Sequence, residues 1–408
     1  MRFLSLWKVS ILLPLITLAA LVSALAADGV TQAHVTRATD IDVGFYQKTN
    51  LESDILGVAR FTDPNLVNPW GLSHSPTSPW WVSDNGAGVA TLYKGNGRAF
   101  PVGSPLVVTI PPPAGGTPPA APTGNVFNGT SDFVVSANGK SGASFFIFAT
   151  EDGTISGWNP NVNATNAILA VDNSKVTIGK FTGAVYKGLA TGQSNNQNFI
   201  YATDFRFGRV EQFKADFSPG ITFTDPELAQ QCNLNDANNQ CFAPFGIQNI
   251  GGKLFVTFAL QKAGTPGQPG TFKHDDQEGA GNGFVDIFNT DGTLFKRLIS
   301  HGQLNSPWGL ALAPENFGRF SDDLLVGNFG DGHINVFNPE NGTFLGQPKD
   351  RFGDPIAING LWGLAFGNGG LAGPRNTLFF TAGIVGEAHG LFGSIRHTVI
   401  DINTDPTD

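Results

Sequence analysis

The chain has 408 residues, of which 41% are hydrophobic and only 14% charged, and this composition predicts a packed globular protein rather than a disordered one. There are 33 acidic and 24 basic residues, so the net charge is −9, which argues against a nucleic-acid partner because an acidic surface repels phosphate backbones. The high counts of glycine (52) and proline (26) are typical of many short strands alternating with turns.

The chain begins with the pattern of a secretory signal peptide. Two basic residues precede an apolar run, Val9 to Leu25, that ends in small residues, so we expect a cleaved signal at residues 1–26. The alternative is an uncleaved membrane anchor, but Pro14 interrupts the run and Asp28 follows it closely. The mature protein is expected to be secreted, extracellular or periplasmic. Without the two basic residues its net charge is about −11.

A short phrase, in which a glycine is usually followed by an aliphatic residue, recurs along the chain. The copies are Asn68-Pro69-Trp70-Gly71-Leu72, Pro122-Thr123-Gly124-Asn125-Val126, Tyr186-Lys187-Gly188-Leu189-Ala190, Ala243-Pro244-Phe245-Gly246-Ile247, Ser306-Pro307-Trp308-Gly309-Leu310 and Leu361-Trp362-Gly363-Leu364. Their glycines are 53 to 64 residues apart, a period that marks a propeller or a solenoid.

Each copy is followed by an apolar strand, a turn rich in Gly, Asp and Asn, and a second strand, without helical periodicity. Examples are Trp80–Asp84 with Val89–Tyr93, and Leu324–Asn328 with Ile334–Phe337. The pattern excludes a helical solenoid and predicts an all-β, six-bladed β-propeller with four antiparallel strands per blade. Residues 27–408 would form this single domain, with blades starting near residues 68, 121, 185, 243, 306 and 360.

Within a blade, the Gly-Leu strand is expected to be innermost, with the aromatic residue beside each glycine packed between neighbouring sheets. The alternative is that these aromatic residues form a ligand platform. Residues 41–60 include Phe45 and Tyr46 and are hypothesised to supply the outer strand that closes the last blade, next to Leu391–Ile395.

The only two cysteines, Cys232 and Cys241, lie close together in an Asn-rich stretch. An exported chain meets an oxidising compartment, so we expect a local disulfide, with a metal-binding pair as the alternative. Sequons at Asn128, Asn163 and Asn341 would matter only in a eukaryotic secretory pathway.

The repeat unit is similar to NHL repeats, and longer strings resemble a family of uncharacterised exported proteins, mainly bacterial. These strings are Thr62–Leu72 (TDPNLVNPWGL), His274–Asp276 (HDD), Gly281–Asp286 (GNGFVD), Asn305–Leu310 (NSPWGL), Leu324–Gly332 (LLVGNFGDG) and Gly386–Gly393 (GEAHGLFG). The resemblance covers essentially the whole mature chain. It implies a propeller fold and an exported location, but that family has no assigned reaction to transfer.

One connection, residues 261–283, is much longer than comparable turns, and long ordered insertions are usually functional or mobile. It contains His274, Asp275 and Asp276, which we consider candidate ligands for a divalent cation together with His389. Histidine would favour zinc, and a set of oxygen ligands would favour calcium. The alternative is a solvated polar loop.

Four polar residues recur near the ends of second strands: Asp84, Asp204, Asn328 and Asp331. Capping of turn amides is a sufficient structural reason for them. The functional alternative is that they ring the axial mouth as ligands, together with Glu387.

No Gly-x-Ser-x-Gly elbow, phosphate loop, His-Glu-x-x-His helix or paired Cys-x-x-Cys set is present, which removes the commonest hydrolase, nucleotide-binding and structural-zinc patterns. We therefore expect a monomeric binding or interaction module that presents its loop-rich face to a protein, glycan or small molecule. The alternatives are a metal-dependent hydrolase or lyase of the lactonase kind and a purely structural role.

Overall fold

The computed structural model describes residues 44–399. The predicted signal peptide at residues 1–26 lies outside the described residues. Within residues 44–399, no helix has both the length and the apolar character needed to span a membrane.

The described residues form six large sheets and two short hairpins, and the strands of each of the first three large sheets follow one another in the chain. Two strands precede them, β1 (Gly44–Ser53) and β2 (Phe61–Thr62). The first sheet contains β3 (Pro69–Ser73), β4 (Trp80–Asp84), β5 (Val89–Tyr93) and β6 (Val107–Thr109). The second contains β7 (Pro122–Phe127), an inserted hairpin of β8 (Val134–Ala137) and β9 (Lys140–Ala143), then β10 (Phe146–Thr150), β11 (Thr154–Trp158) and β12 (Ile168–Asp172). A hairpin of β13 (Thr177–Ile178) and β14 (Phe181–Thr182) leads to the third, β15 (Tyr186–Ser194), β16 (Gln197–Asp204), β17 (Arg209–Lys214) and β18 (Pro219–Phe223).

The last three sheets follow a short helix, α1 (Pro226–Ala229). The fourth contains β19 (Phe242–Ile250), β20 (Lys253–Leu260), β21 (Phe284–Asn289) and β22 (Leu294–Ser300). The fifth contains β23 (Pro307–Leu312), β24 (Leu324–Asn328), β25 (Ile334–Phe337) and β26 (Phe344–Gly346). The sixth contains β27 (Leu361–Phe366), β28 (Thr377–Ile384) and β29 (His389–Val399). Two 3-10 turns, Pro269–Thr271 and Gly318–Phe320, lie in connections.

The sixth sheet is completed by the N-terminal strand, β1. It runs antiparallel to β29, with Lys48 opposite Ile395 and Ser53 opposite Leu391, and β2 adds a parallel edge. The fold is therefore a six-bladed β-propeller in which the first and last strands of the described residues share one blade. This arrangement leaves few exposed sheet edges.

Each blade packs between two neighbours, so strands such as β4 and β24 are buried along their whole length. The inner strands come especially close at the repeated glycines. A Cβ atom on Gly124 would lie 2.4 Å from the amide nitrogen of Leu189, and one on Gly246 would lie 2.0 Å from the carbonyl oxygen of Trp308. No side chain fits there, which explains why the repeat requires glycine.

The aromatic residues beside these glycines meet at the propeller axis. Trp70 stacks on Trp362 with ring centroids 3.5 Å apart, and Trp308 lies edge-on to Trp70 at 6.1 Å. Phe245 also meets Trp362, at 5.8 Å. The last two pairs join non-adjacent blades, so the expectation that these rings pack between neighbouring sheets was wrong. The rings that precede Gly71, Gly246, Gly309 and Gly363 therefore lie at the axis, whereas the Thr123 hydroxyl, before Gly124, bonds to the Tyr186 carbonyl of the next blade. Below the rings, the cavity between the inner strands is only about 40 Å³.

Candidate functional site

Strand direction alternates within each blade, so the connections into the inner strands and those between second and third strands share one side of the molecule. We call this side the loop-rich face. It carries the 261–283 connection between β20 and β21, the Cys232–Cys241 loop, the 111–122 stretch and the turn at Glu387–His389.

Lys187 lies at the centre of this face, in the position before the glycine that tryptophan or phenylalanine occupies in four other blades. It is buried, with a 2% exposed side chain, and its ammonium lies 4.9 Å from the ring centroid of Trp70 and 5.8 Å from that of Phe205. The ammonium forms an ion pair with the Glu151 carboxylate. A buried lysine requires such a partner because an unpaired charge in an apolar environment is costly.

A second layer of charged groups covers this ion pair. Glu151 also accepts a hydrogen bond of 2.9 Å from the Asn85 amide. Nδ1 of His274 lies 2.6 Å from Oδ1 of Asp275 and 4.0 Å from Oε1 of Glu151, and the Lys187 ammonium is 3.8 Å from the same Asp275 oxygen. One donor atom from each of Glu151, His274 and Asp275 lies within 4.8 Å of the other two. The 261–283 connection thus brings its histidine and one aspartate to the axis.

A third group reaches the mouth from the first and last blades. The Asn68 amide donates a 2.8 Å hydrogen bond to Glu387, and its oxygen accepts one of 3.2 Å from the Trp362 indole. The carboxyl of Glu387 is therefore held by the axial aromatic cluster. Asp276 is partly buried, and its carboxyl faces Lys187 and Ser306.

The four carboxyl groups differ in acidity. Burial raises the pKa of Glu151, but Lys187 and His274 outweigh that effect and hold the pKa below its ordinary value. For Asp275, burial is likewise outweighed, mainly by the His274 hydrogen bond and by Lys187, so its pKa is lowered. Burial raises the pKa of Asp276 to about 6 and also raises that of Glu387. Carboxyl groups with lowered pKa values therefore lie next to carboxyl groups with raised pKa values, as they do in acid–base and ligand-binding sites.

Two buried cations fix the long connection. The Arg206 guanidinium donates to the carbonyls of Gly183 at 2.9 Å and Gly270 at 2.6 Å. The Lys273 ammonium donates to the carbonyl of Asn239 at 2.7 Å. Lys273 directly precedes His274, so these bonds position the histidine.

The predicted disulfide between Cys232 and Cys241 is present, with Cα atoms 5.3 Å apart. The loop that it closes contains Asn239, the acceptor for Lys273. The disulfide therefore stabilises the loop to which the 261–283 connection is bonded through Lys273.

The remaining predicted ligands do not join this group. Asp84 is fully buried and accepts a 2.8 Å hydrogen bond from Thr91, and Asp204 accepts bonds from the backbone amides of Val185 and Phe207. Asn328 and Asp331 bond to one another across a turn. His389 pairs with Asp54, Nδ1 to Oδ2 at 2.6 Å, and is not part of the cluster formed by His274.

Sequence reasoning missed Glu151 and Lys187. Lys187 carried a usable signal, since it is a lysine in a position that is otherwise mostly aromatic. Glu151 lies in a short turn and resembled an ordinary hairpin residue.

No protein-family model matches the chain. Two uncharacterised proteins of Acanthamoeba polyphaga mimivirus are similar to it. One is 31% identical over 353 residues, covering 85% of this chain and 78% of that protein, and the other is 30% identical over 344 residues, covering 83% and 82%. These relatives are viral, whereas the resemblance implied a mainly bacterial, exported family, and that origin stays an expectation.

Solved structures with a similar fold include a streptogramin B lyase, with a TM-score of 0.48 and 12% identity over 88% of this chain and 100% of that one. A virginiamycin B lyase from Staphylococcus aureus has a TM-score of 0.45 and 14% identity, covering 86% and 99%, and a glucose dehydrogenase has a TM-score of 0.45 and 11% identity, covering 85% and 98%. Neither these identities nor these TM-scores support an inference about activity.

Proposed function

The chain belongs to the family of the two uncharacterised mimivirus proteins, and we propose that it is a binding module for a small, positively charged ligand. The family supplies no activity, so the proposal rests on the axial site alone. The ligand would bind at the mouth of the axis on the loop-rich face. The chemistry of the group formed by Glu151, Lys187, His274, Asp275 and Glu387 supports this proposal.

The observation that supports this proposal most strongly is that several carboxyl groups surround the single ammonium of Lys187. Lys187 is buried and paired with Glu151, whereas the Asp275 side chain is 58% exposed above it. Asp276 and Glu387 lie close enough to Lys187 for its charge to lower their pKa values, although burial raises both overall. A ligand cation would compensate this negative charge, and charges are most effective in such a partly desolvated mouth.

We also propose that the protein acts outside the cytoplasm, as a monomer with a ligand of the envelope or the surrounding medium. The N-terminal signal pattern supports export, and the Cys232–Cys241 bond suits an oxidising compartment.

A thermal-shift and calorimetric panel tests the ligand class. Calcium and zinc salts, spermidine, choline and arginine amide are compared with sulfate, acetate and glucose. We expect at least one cation to raise the melting temperature, since a ligand at 100 times its Kd stabilises the native state by about 2.7 kcal/mol.

The variant Asp275→Asn/Glu387→Gln should lose that response, and Asp216→Asn, a change to an exposed turn aspartate, should keep it. Stabilisation by the neutral or anionic compounds alone, or an equal response of the double variant, would contradict the proposal.

The second candidate is a metal-dependent hydrolase or lyase, and the donor set of Glu151, His274 and Asp275 favours it. One imidazole and two carboxylates suit a zinc-like ion better than calcium. Such an ion would polarise a carbonyl or activate water. However, Lys187 already neutralises Glu151, so a metal must compete with its ammonium for that carboxylate.

Elemental analysis of the purified protein by mass spectrometry separates the two candidates. A stoichiometric transition metal that is lost in His274→Ala/Asp275→Ala would establish the metal site and justify a screen of lactone and ester substrates. A metal-free protein that still binds an organic cation would leave the binding module.

A further inference from the structure

The opposite side of the propeller carries a cavity between the first and second blades. The connections that follow inner strands and third strands meet there and line an open cavity of about 1020 Å³. It shares no residue with the axial group. Its volume is at the upper end of the range for pockets that hold small organic ligands, about 300–1,000 Å³.

Aromatic rings form the floor of this cavity. Trp81 stacks on Phe146 with ring centroids 4.3 Å apart, and Trp158 leans on Trp81 at 4.6 Å. The indole nitrogen of Trp158 donates to the carbonyl of Ala164, so its polar atom is already satisfied. The floor is therefore a closely packed apolar layer.

The floor is recessed beneath an exposed rim. Trp81 and Trp158 are only 3% and 6% exposed, whereas Phe145 at the rim is 44% exposed. A flat protein surface would meet Phe145 but not the two indoles. The volume of the cavity suits a small ligand, which would contact the exposed rim and the apolar walls.

The walls are uncharged. None of the lining residues, all of which belong to the described part of the chain, is an Asp, Glu, Lys, Arg or His. The polar residues present are largely occupied within the protein. The Asn128 amide donates to three backbone carbonyls, and the Ser75 hydroxyl accepts from the amides of Thr77 and Ser78. A charged ligand would lose its hydration without compensation here.

We propose that this cavity is a second binding site, specific for an uncharged, largely apolar small molecule. Contact with the exposed Phe145 ring and the apolar walls would remove apolar surface from water. The site is independent of the axial one.

Asn128, which lines the same cavity, belongs to one of the three sequons. The residue is 4% exposed and its amide nitrogen makes three hydrogen bonds, so its sequon offers no free nitrogen for a glycan. No glycan at this position would therefore close the cavity.

The probe for the test is N-phenyl-1-naphthylamine, a neutral aromatic dye that fluoresces in apolar surroundings. We expect saturable binding at one site per chain, with quenching of tryptophan emission from Trp81 and Trp158. Ala164→Trp places a large ring at the rim and should weaken binding at least ten-fold. Leu56→Trp adds the same ring at a position 87% exposed and outside the cavity lining, and it should bind the dye normally.

Each outcome decides the proposal. Absence of saturable binding, or equal affinity in Ala164→Trp at an unchanged melting temperature, overturns it. Concentration-dependent dimerisation that the dye suppresses would also overturn it, because a second chain would then occupy the cavity. Asp275→Asn/Glu387→Gln must leave dye binding unchanged, so failure of the axial proposal and failure of this one are distinguishable.

Discussion

Replacing Lys187 with methionine removes the buried cation of the axial site while keeping most of its apolar stem. The Lys187 and Glu151 side chains are 2% and 13% exposed, so the Glu151 carboxylate would be left buried without its main partner. Breaking a buried pair by removing one member costs about 3–5 kcal/mol. We expect the lower end of that range, since Asn85 still donates to Glu151.

The loss of stability in Lys187→Met should depend on pH. Burial raises the pKa of Glu151 and Lys187 counteracts it, so in Lys187→Met the folded-state pKa should exceed the ordinary value. A carboxyl with a raised folded pKa contributes stability below its unfolded pKa and loses it as pH rises through the folded one. The deficit of the variant should therefore be small near pH 4 and fully developed at neutral pH.

Urea unfolding of the wild type, Lys187→Met, Glu151→Gln and the double variant measures the coupling. We expect the double variant to recover part of the loss, with a coupling energy of about 2 kcal/mol. Equal free energies of unfolding for Lys187→Met and the wild type at pH 7, or a coupling energy near zero, would refute the reasoning.

Three further changes test other parts of the structure. Burial and a neighbouring carboxyl raise the pKa of Glu52 to about 8, so wild-type stability should fall between pH 5 and 8.5. In urea unfolding, Glu52→Gln should reduce that fall in the free energy of unfolding by about 1–3 kcal/mol. This is less than the full pKa shift implies, because Glu52 lines a cavity of about 510 Å³ where solvent screens its charge. Cys232→Ser/Cys241→Ser should cost about 2–3 kcal/mol and speed amide exchange in residues 261–283, whereas unchanged exchange would show that the disulfide does not support this connection. Gly246→Ala should abolish cooperative folding or lower the melting temperature sharply, since its Cβ would lie 2.0 Å from a neighbouring carbonyl oxygen, while Gly270→Ala, with open space around the Cβ, should melt like the wild type.

The fold was predictable because its signal is local and repeated. Strands Trp80–Asp84 and Leu324–Asn328 have the same bounds in the structure as in the sequence prediction. Both begin with three apolar residues and end in a polar turn residue, and the repeat around Gly71 and its counterparts sets the number of blades.

The site was predicted only in part because it is assembled from distant residues. His274 and Asp275 were found through the unusual length of their connection, but Glu151 reaches them from another blade through a short turn. The aromatic residues of the repeat were placed wrongly, since a ring next to glycine suits either the axis or the space between sheets. His389 is a residue type that often binds metal ions, but its imidazole pairs with Asp54, which is far away in the sequence.

The central claim is that the mouth of the axis binds a cation through its carboxyl groups. Equilibrium dialysis of the purified protein against a small-molecule extract, followed by mass spectrometry of the retained compounds, tests it most directly. Compounds or metal ions retained by the wild type but not by Asp275→Asn/Glu387→Gln should carry positive charge. Retention of the same set by both proteins, or of anionic and neutral compounds alone, would contradict the account.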